Sequence, residues 1–117
     1  MRQIILFLFL IMFITNVEAS EIQDNWEAIN VEATAYTRYD EGCGDYTATG
    51  KLVTRGIISV DPDVIPLGTK VYIPGYGYAV ADDTGGAISG YKIDIAMESV
   101  DEALEFGRRD IVIYIVK

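Results

Sequence analysis

Alternation of apolar and polar residues along the chain predicts a series of short β-strands. In residues 31–37, β-branched and aromatic side chains alternate with smaller or polar ones, which is the period of two expected of a half-buried strand. Five further segments of strand-like composition follow. The six predicted strands cover residues 31–37, 52–60, 69–73, 76–81, 92–97 and 110–116. Turns rich in glycine, proline and aspartate separate them, which is typical of a barrel or a sandwich.

One helix interrupts these strands, and the residues at its two ends define it. Ser99 and Glu102 form a capping box, and Gly107 stands where the residue after a helix is often glycine. Arg108 and Arg109 follow, and we expect them to pair with the negative end of the helix dipole and with carboxylates. The predicted apolar stripe of the helix consists of Ala103, Leu104 and Phe106.

The N-terminal segment has the pattern of an export signal. Residues 4–14 are 11 consecutive apolar residues, about half of the ~20 that a membrane-spanning helix needs. Val17 and Ala19 occupy the small-residue positions before a cleavage point, so we expect cleavage after Ala19, with an uncleaved anchor as the alternative. The mature protein would then be secreted and leave the membrane. The predicted organisation is a signal peptide over residues 1–19, a flexible lead-in over 20–30 and a barrel domain over 31–117.

Composition excludes several classes of chemistry. The 117 residues include no histidine, which rules out Ser-His-Asp and Cys-His catalysis and imidazole-bound zinc. Nine basic against 18 acidic residues give a formal net charge of −9, which argues against binding to nucleic acid. Cys43 is the single cysteine, so no intramolecular disulfide can form, and it is interpreted as part of a glycine turn, with an intermolecular disulfide as the alternative. Because the chain has no histidine, any acid-base chemistry must come from carboxylates.

Three aspartates stand where strands meet turns and are the first candidates for such chemistry. They are Asp61, Asp83 and Asp94. Most aspartates in a small acidic domain only solvate a surface or cap a turn, and each of the three has that alternative. Asp94 is the strongest candidate, because alternation between Ile93 and Ile95 points it away from the core, towards solvent or a concave site. A carboxyl group close to apolar groups and other carboxylates favours its neutral form, as a general acid requires.

Three loops have superficial resemblances to ligand-binding sites. In residues 83–86, two successive glycines would let a ligand approach the backbone, although an ordinary hairpin turn is the alternative. Residues 47–51 lack the frame of a phosphate-binding loop, so nucleotide binding is rejected. Asp40, Glu41 and Asp45 do not follow the spacing of a calcium loop, so no metal is expected.

Several motifs occur in an order that resembles a known family. They are residues 33–37, 47–50, 60–62, 65–69, 73–77, 83–88, 93–94 and 106–109. Together they resemble the 3D domain, which is named for three aspartates, and the resemblance covers residues 31–116. It implies an all-β fold, a six-stranded double-psi β-barrel with one short helix, similar to the barrel of membrane-bound lytic transglycosylase A. The three family aspartates fall on Asp61, Asp83 and Asp94.

The resemblance also implies an activity. The substrate would be peptidoglycan glycan strands at the cell wall, cleaved between N-acetylmuramic acid and N-acetylglucosamine by a lytic transglycosylase without a cofactor. Asp94 would be the catalytic acid and base, with Asp61 and Asp83 shaping the site and its electrostatics. The expected substrate-binding residues are Tyr36, Thr49, Gly50, Lys51, Thr84, Gly85 and Gly86.

Two alternatives are consistent with the same residues. One is a non-catalytic barrel that binds glycan and loosens the wall, with tyrosines as sugar platforms. The tyrosines considered for that role are Tyr36, Tyr76, Tyr78 and Tyr91. The other alternative is a hydrolytic muramidase that pairs Asp94 with Asp61 or Asp83. The products distinguish the three activities. A lytic transglycosylase gives anhydro ends, a muramidase gives reducing ends, and a binding barrel gives no cleavage.

Overall fold

The computed structural model describes residues 25–117, which form a closed barrel of six strands with one short helix in that range. This confirms the predicted fold class. The strands are β1 (Glu27–Tyr36), β2 (Ile57–Val60), β3 (Lys70–Ile73), β4 (Gly77–Asp83), β5 (Lys92–Ala96) and β6 (Arg109–Ile115). The helix α1 (Val100–Phe106) lies between β5 and β6.

Around the barrel the strands follow the order β1-β5-β2-β4-β3-β6, so chain neighbours are seldom sheet neighbours. β1 with β5 and β2 with β4 are parallel pairs, and the other four pairs are antiparallel. Because the sheet closes on itself, it has no unpaired edge that could recruit another chain. The parallel pairing of β1 with β5 joins segments more than fifty residues apart in the chain.

Two strands begin more than one residue away from their predicted starts. β1 begins at Glu27 rather than at residue 31, because its first residues pair antiparallel with β6, where Glu27 faces Ile115. Residues 27–30 are therefore barrel strand and not lead-in. β2 is shorter than predicted and begins at Ile57, while Leu52 forms only an isolated bridge with Tyr46. The predicted signal peptide and the first part of the lead-in lie outside the described residues.

The barrel interior is filled by aliphatic side chains that alternate along the strands. The largest fully buried ones are Ile58, Val60, Val71, Ile73, Ile93, Ile95 and Ile113. Full burial of such a side chain contributes about 1.5–3 kcal/mol, so this set is the main stabilising element of a small domain without a disulfide. Since Ile93 and Ile95 point inwards, Asp94 points to the outer side of β5.

The helix has the predicted ends but a narrower apolar face. The Ser99 hydroxyl accepts a hydrogen bond from the Glu102 amide at 3.1 Å, and Gly107 ends the helix with a φ of +65°. Ala103 and Phe106 pack against the core, whereas Leu104 is 74% exposed, so its place in the stripe was wrong. The physical reason is the 3.6-residue period, which puts Ala103 and Phe106 on one side and rotates Leu104 away.

Among residues 25–117, no helix is long and apolar enough to span a membrane.

The Tyr76 hydroxyl links β5 to the residue that precedes β2, at one end of the barrel. It accepts a hydrogen bond from the Gly56 amide at 2.6 Å and donates one to the Ala96 carbonyl at 2.7 Å. One face of its ring is covered by the Arg55 guanidinium, 4.2 Å from the ring centroid. Tyr76 therefore serves as a structural link in this arrangement, and the face under Arg55 is not open to a sugar.

Replacing Tyr76 by Phe should destabilise the barrel, because the Gly56 amide and the Ala96 carbonyl both lose their partner. The expected loss in the free energy of unfolding is about 1–3 kcal/mol. Urea unfolding followed by circular dichroism measures it. Tyr91→Phe is the matched control, since the Tyr91 side chain is 64% exposed and should lose almost nothing. Equal losses in the two variants would contradict the assigned link.

Candidate functional site

A cleft of about 370 Å³ lies on the outer side of the β1–β5 pair. Its floor contains Thr34 and Asp94, which are direct partners in the parallel register. Loops supply the walls, one after β1 and one before β5. The residues that line the cleft are Glu32, Thr34, Ala35, Tyr36, Asp40, Glu41, Cys43, Ala87, Ile88, Lys92, Ile93, Asp94 and Arg108.

Asp94 is held in a setting that favours its neutral form. Its Oδ1 accepts a hydrogen bond from the Thr34 hydroxyl at 3.0 Å. Burial raises the pKa of Asp94, and the negative charges of Asp40 and Asp83 raise it further, while the Thr34 hydrogen bond acts in the opposite direction. In the described part of the chain, no donor contacts Oδ2. A carboxyl group of this kind can carry a proton on Oδ2 while Oδ1 stays fixed.

Tyr36 connects this floor to Asp83. The Tyr36 hydroxyl donates to Asp83 Oδ2 at 3.0 Å, and the amides of Ala48 and Thr84 donate to Asp83 Oδ1 at 3.0 and 2.9 Å. Burial raises the pKa of Tyr36, and the charges of Asp83 and Asp94 add to the rise, so the phenol remains protonated and keeps its donor role. Asp83 thereby fastens the loop that contains Ala48 to the end of β4.

The predicted substrate-binding segment with Thr49, Gly50 and Lys51 lies beside β4 and does not line the Asp94 cleft. The Lys51 ammonium forms a 3.0 Å ion pair with Asp82 Oδ2, and the Thr49 hydroxyl donates to the Asp82 carbonyl at 3.0 Å. Gly50 has a φ of +86°, which the tight turn at this point requires. Asp82 is only 6% exposed and was not singled out from the sequence, which carries no signal that pairs it with a residue 31 positions away.

Thr84, Gly85 and Gly86 also lie outside the cleft lining. Neither glycine adopts a positive φ, so conformational freedom does not explain them. At Gly85 a Cβ atom would lie 3.1 Å from Ile88 Cγ1, so the absent side chain lets Ile88 pack closely. These residues therefore shape the loop whose later part, including Ile88, forms one wall of the cleft.

Asp61 fixes the far end of the same loop. Its Oδ2 accepts a hydrogen bond from the Gly90 amide at 2.7 Å, and its Oδ1 accepts one from the Asp63 amide at 3.0 Å. The Gly90 amide, followed by the Asp63 amide, lowers the pKa of Asp61, so its ionised form is favoured. Asp61 is not among the charged groups that raise the pKa of Asp94. Its position suits a structural acceptor at the start of β5.

Cys43 belongs to the cleft wall that follows β1. It is a free cysteine and is exposed. Partial burial of the thiol is the main cause of its raised pKa, and the negative charges of Asp40, Asp94 and Asp83 raise it further. The thiol is therefore favoured over the thiolate, which is the reactive form. Among residues 25–117, no three cysteine or acidic side chains converge closely enough to hold a metal ion.

Comparison with known proteins shows the family. Residues 56–117 match the 3D domain, and the chain belongs to that family. It is 42% identical over 111 residues to the cell wall-binding protein YocH of Bacillus subtilis strain 168, covering 86% of this chain and 39% of that protein. It is 44% identical over 94 residues to the putative cell wall shaping protein YabE of the same strain, covering 77% and 23%. The chain thus spans well under half the length of these relatives.

The barrel is also similar to a solved structure. It matches the crystal structure of MltA from Escherichia coli, described as a unique lytic transglycosylase fold, with a TM-score of 0.50 and 22% sequence identity. The match covers 67% of this chain and 29% of that one. At this level of identity the likeness shows a shared fold.

Asp61→Asn should lower the melting temperature by a few degrees at pH 7, because an amide nitrogen would replace an oxygen that accepts a backbone N–H. The lowered pKa of Asp61 in the folded state means that its stabilisation is present above the unfolded value, about 3.9, and is lost as the pH falls through the folded value. The difference from wild type should therefore shrink towards pH 2.5.

Thermal unfolding monitored by circular dichroism at several pH values measures this difference. Asp63→Asn removes one negative charge from the same turn and is the matched control, because the described Asp63 contact uses its backbone amide. A pH-independent effect of Asp61→Asn would contradict the assigned role.

Proposed function

We propose that this protein is a peptidoglycan lytic transglycosylase that cleaves the bond between N-acetylmuramic acid and N-acetylglucosamine and leaves a 1,6-anhydromuramoyl end. The observation that carries the proposal is the Asp94 carboxyl group, half-buried in an outer cleft, hydrogen-bonded to Thr34 and with a raised pKa. Support comes from the 3D domain family, from relatives named for binding or shaping the cell wall, and from a fold shared with MltA.

Asp94 would serve in turn as acid and as base. In the first step its Oδ2 proton passes to the glycosidic oxygen, the C1–O bond breaks, and positive charge develops at C1. In the second step the Asp94 carboxylate takes the proton of the C6 hydroxyl of the same muramoyl residue, and that oxygen forms a bond to C1. The carboxyl group regains its proton, so no water or cofactor is consumed.

Thr34 helps with both proton transfers by way of Oδ1. Its hydroxyl donates to that oxygen, so the proton of neutral Asp94 is directed to Oδ2. When the proton leaves, the same hydrogen bond becomes charge-assisted and stabilises the new carboxylate. Burial raises the pKa of Asp94 and so favours its protonated form, and the Thr34 hydrogen bond acts in the opposite direction by favouring release of the proton.

The contacts of Asp61, Asp82 and Asp83 favour this single-acid scheme over a hydrolysis that would pair Asp94 with one of them. A hydrolase uses a second carboxylate to activate water or to attack the sugar. Asp83 accepts three hydrogen bonds, both oxygens of Asp61 accept backbone amides, and Asp82 is paired with Lys51. Asp40, the remaining aspartate beside Asp94, accepts the Thr37 hydroxyl at 2.9 Å.

The proposed setting is the wall outside the cell. Cleavage of the export signal after Ala19 would release a mature domain beginning at Ser20, which acts on glycan strands without contact with the membrane. Peptidoglycan would be its partner, with no nucleic acid, no metal and no cofactor in the reaction.

Asp94→Asn should abolish the release of 1,6-anhydromuropeptides while the barrel stays folded. Asn keeps the shape and can still accept the Thr34 hydrogen bond, but it cannot donate and retake a proton. The expected loss in rate is about 10⁴-fold or more, because one group serves both transfers and each is typically worth ~10²–10⁴. Mass spectrometry of digested peptidoglycan measures the anhydro ends, and circular dichroism checks the fold.

The wild-type products decide between the alternatives. Reducing ends in place of anhydro ends would replace the proposal by a muramidase. Binding of peptidoglycan without any cleavage would replace it by a binding barrel. Near wild-type release of anhydro ends by Asp94→Asn would exclude Asp94 as the acid.

Asp40→Asn should move the alkaline limb of the pH–activity profile to lower pH. The Asp40 charge raises the pKa of Asp94, so its removal lets Asp94 lose its proton at a lower pH, and the active neutral form is depleted earlier. Asn can still accept the Thr37 hydroxyl, so the loop should keep its shape.

Asp101→Asn is the control for this experiment. It removes one negative charge from the first turn of α1, away from the cleft lining, and should leave the profile in place. A shift of the same size in both variants would attribute the effect to net charge instead of to Asp40.

A further inference from the structure

The charge along the Asp94 cleft changes sign from one end to the other. Lys92 precedes Asp94 by two residues on β5, and both line the cleft. On β1, Glu32 is the register partner of Lys92, and Thr34 is the partner of Asp94. At about 3.3 Å per residue, the Cα atoms of Lys92 and Asp94 are ~6.6 Å apart along the strand. The positively charged Lys92 therefore lies on the same face of β5 as the proposed acid, two residues before it.

Arg108 brings a second positive charge to the same end. Its Nη1 donates to Glu32 Oε1, and the Lys92 ammonium lies 3.8 Å from that same oxygen. Within the described chain, Glu32 is the only carboxylate ion-paired with either cation, so the group carries one net positive charge. The side chains of Arg108 and Lys92 are 64% and 42% exposed, and both retain N–H donors for a ligand.

The other end of the cleft is acidic. Asp40 and Glu41 follow the C-terminal end of β1, and both line the cleft wall. Among the described residues that line the cleft, Lys92 and Arg108 are the only cations. In a chain with a formal net charge of −9, their position at one end of this cleft is a local reversal of the overall field.

We propose that Lys92 and Arg108 form a carboxylate-binding subsite for the acidic group on the C3 substituent of a muramoyl residue. The inference rests on the proposed function and narrows its substrate. A polymer of N-acetylglucosamine is neutral, whereas N-acetylmuramic acid carries a lactyl group at C3 that ends in a carboxylate or continues into an acidic peptide. The guanidinium and ammonium groups bind such a carboxylate by charge-assisted hydrogen bonds. The subsite makes the cleft select wall glycan over neutral chitin-like chains.

The competing explanation is purely structural. Lys92 and Arg108 would then only neutralise Glu32 and help to join β1, β5 and the segment before β6. Exposed ion pairs of this kind contribute little to stability, typically ~0–1 kcal/mol. In that case their removal would leave ligand selectivity unchanged, and this difference makes the two explanations separable.

The test compares three hexasaccharides that differ in the C3 substituent. They are chitohexaose, amidase-treated wall glycan with free lactyl carboxylates, and wall glycan that retains its peptides. Binding is measured by isothermal titration calorimetry at low salt, with the Asp94→Asn substitution in every protein so that no ligand is cleaved. Lys92→Gln with Arg108→Gln is the test variant. Lys70→Gln with Lys117→Gln is the control, because it removes the same charge from residues outside the cleft lining.

The parent protein should bind at least one carboxylate-bearing hexasaccharide about tenfold more tightly than chitohexaose. The test variant should lose that preference and keep its affinity for chitohexaose within about twofold, whereas the control keeps the preference. A preference for the amidase-treated glycan assigns the lactyl carboxylate, and a preference for the peptide-bearing glycan assigns a peptide carboxylate. Added salt should reduce either preference.

Three results overturn the inference. Equal binding of all three ligands by the parent, or an unchanged preference in the test variant, refutes the subsite and leaves the proposed function standing. Failure of the parent to bind any of the three refutes the proposed function and the subsite with it.

Discussion

The parallel pairing of β1 with β5 is the constraint on which the site depends. It places Thr34 beside Asp94 and Glu32 beside Lys92, although each pair is separated by about sixty residues in the chain. The inward side of the two strands is filled by aliphatic side chains, so a slip of one residue would expose the core and bury the polar row. Core packing therefore fixes the register, and the register fixes the geometry around the acid.

Carboxylates also attach loops to the barrel. Asp61 and Asp83 accept backbone amides from segments remote in sequence, and buried Asp82 binds Lys51. An acidic domain without a disulfide can thus satisfy its negative charges and order its loops with the same contacts. Of Asp61, Asp83 and Asp94, the first two therefore have both carboxylate oxygens engaged, whereas in the described part of the chain Asp94 accepts a hydrogen bond on Oδ1 alone.

The cleft electrostatics follow from this arrangement. Asp40 and Asp83 are close enough to raise the pKa of Asp94, beyond the larger effect of burial, whereas Asp61 is engaged elsewhere. Lys92 and Arg108 place positive charge at the opposite end of the cleft. A carboxyl group whose neutral form is favoured, between a negative and a positive wall, is suited to a long substrate whose charge is unevenly distributed, and this property links the proposed chemistry to the proposed selectivity.

The sequence by itself determined the number of strands and the helix with its caps, and it singled out Asp94 as a candidate, because alternation, capping and turn chemistry are local properties. Composition also removed histidine chemistry from consideration. Only the tertiary structure decided that Thr34 is the partner of Asp94 and that Asp82 pairs with Lys51. It also placed the segments at Thr49 and Gly85 outside the cleft. These outcomes depend on barrel order and register, which arise from closure of the whole sheet and leave no trace in any short stretch of sequence.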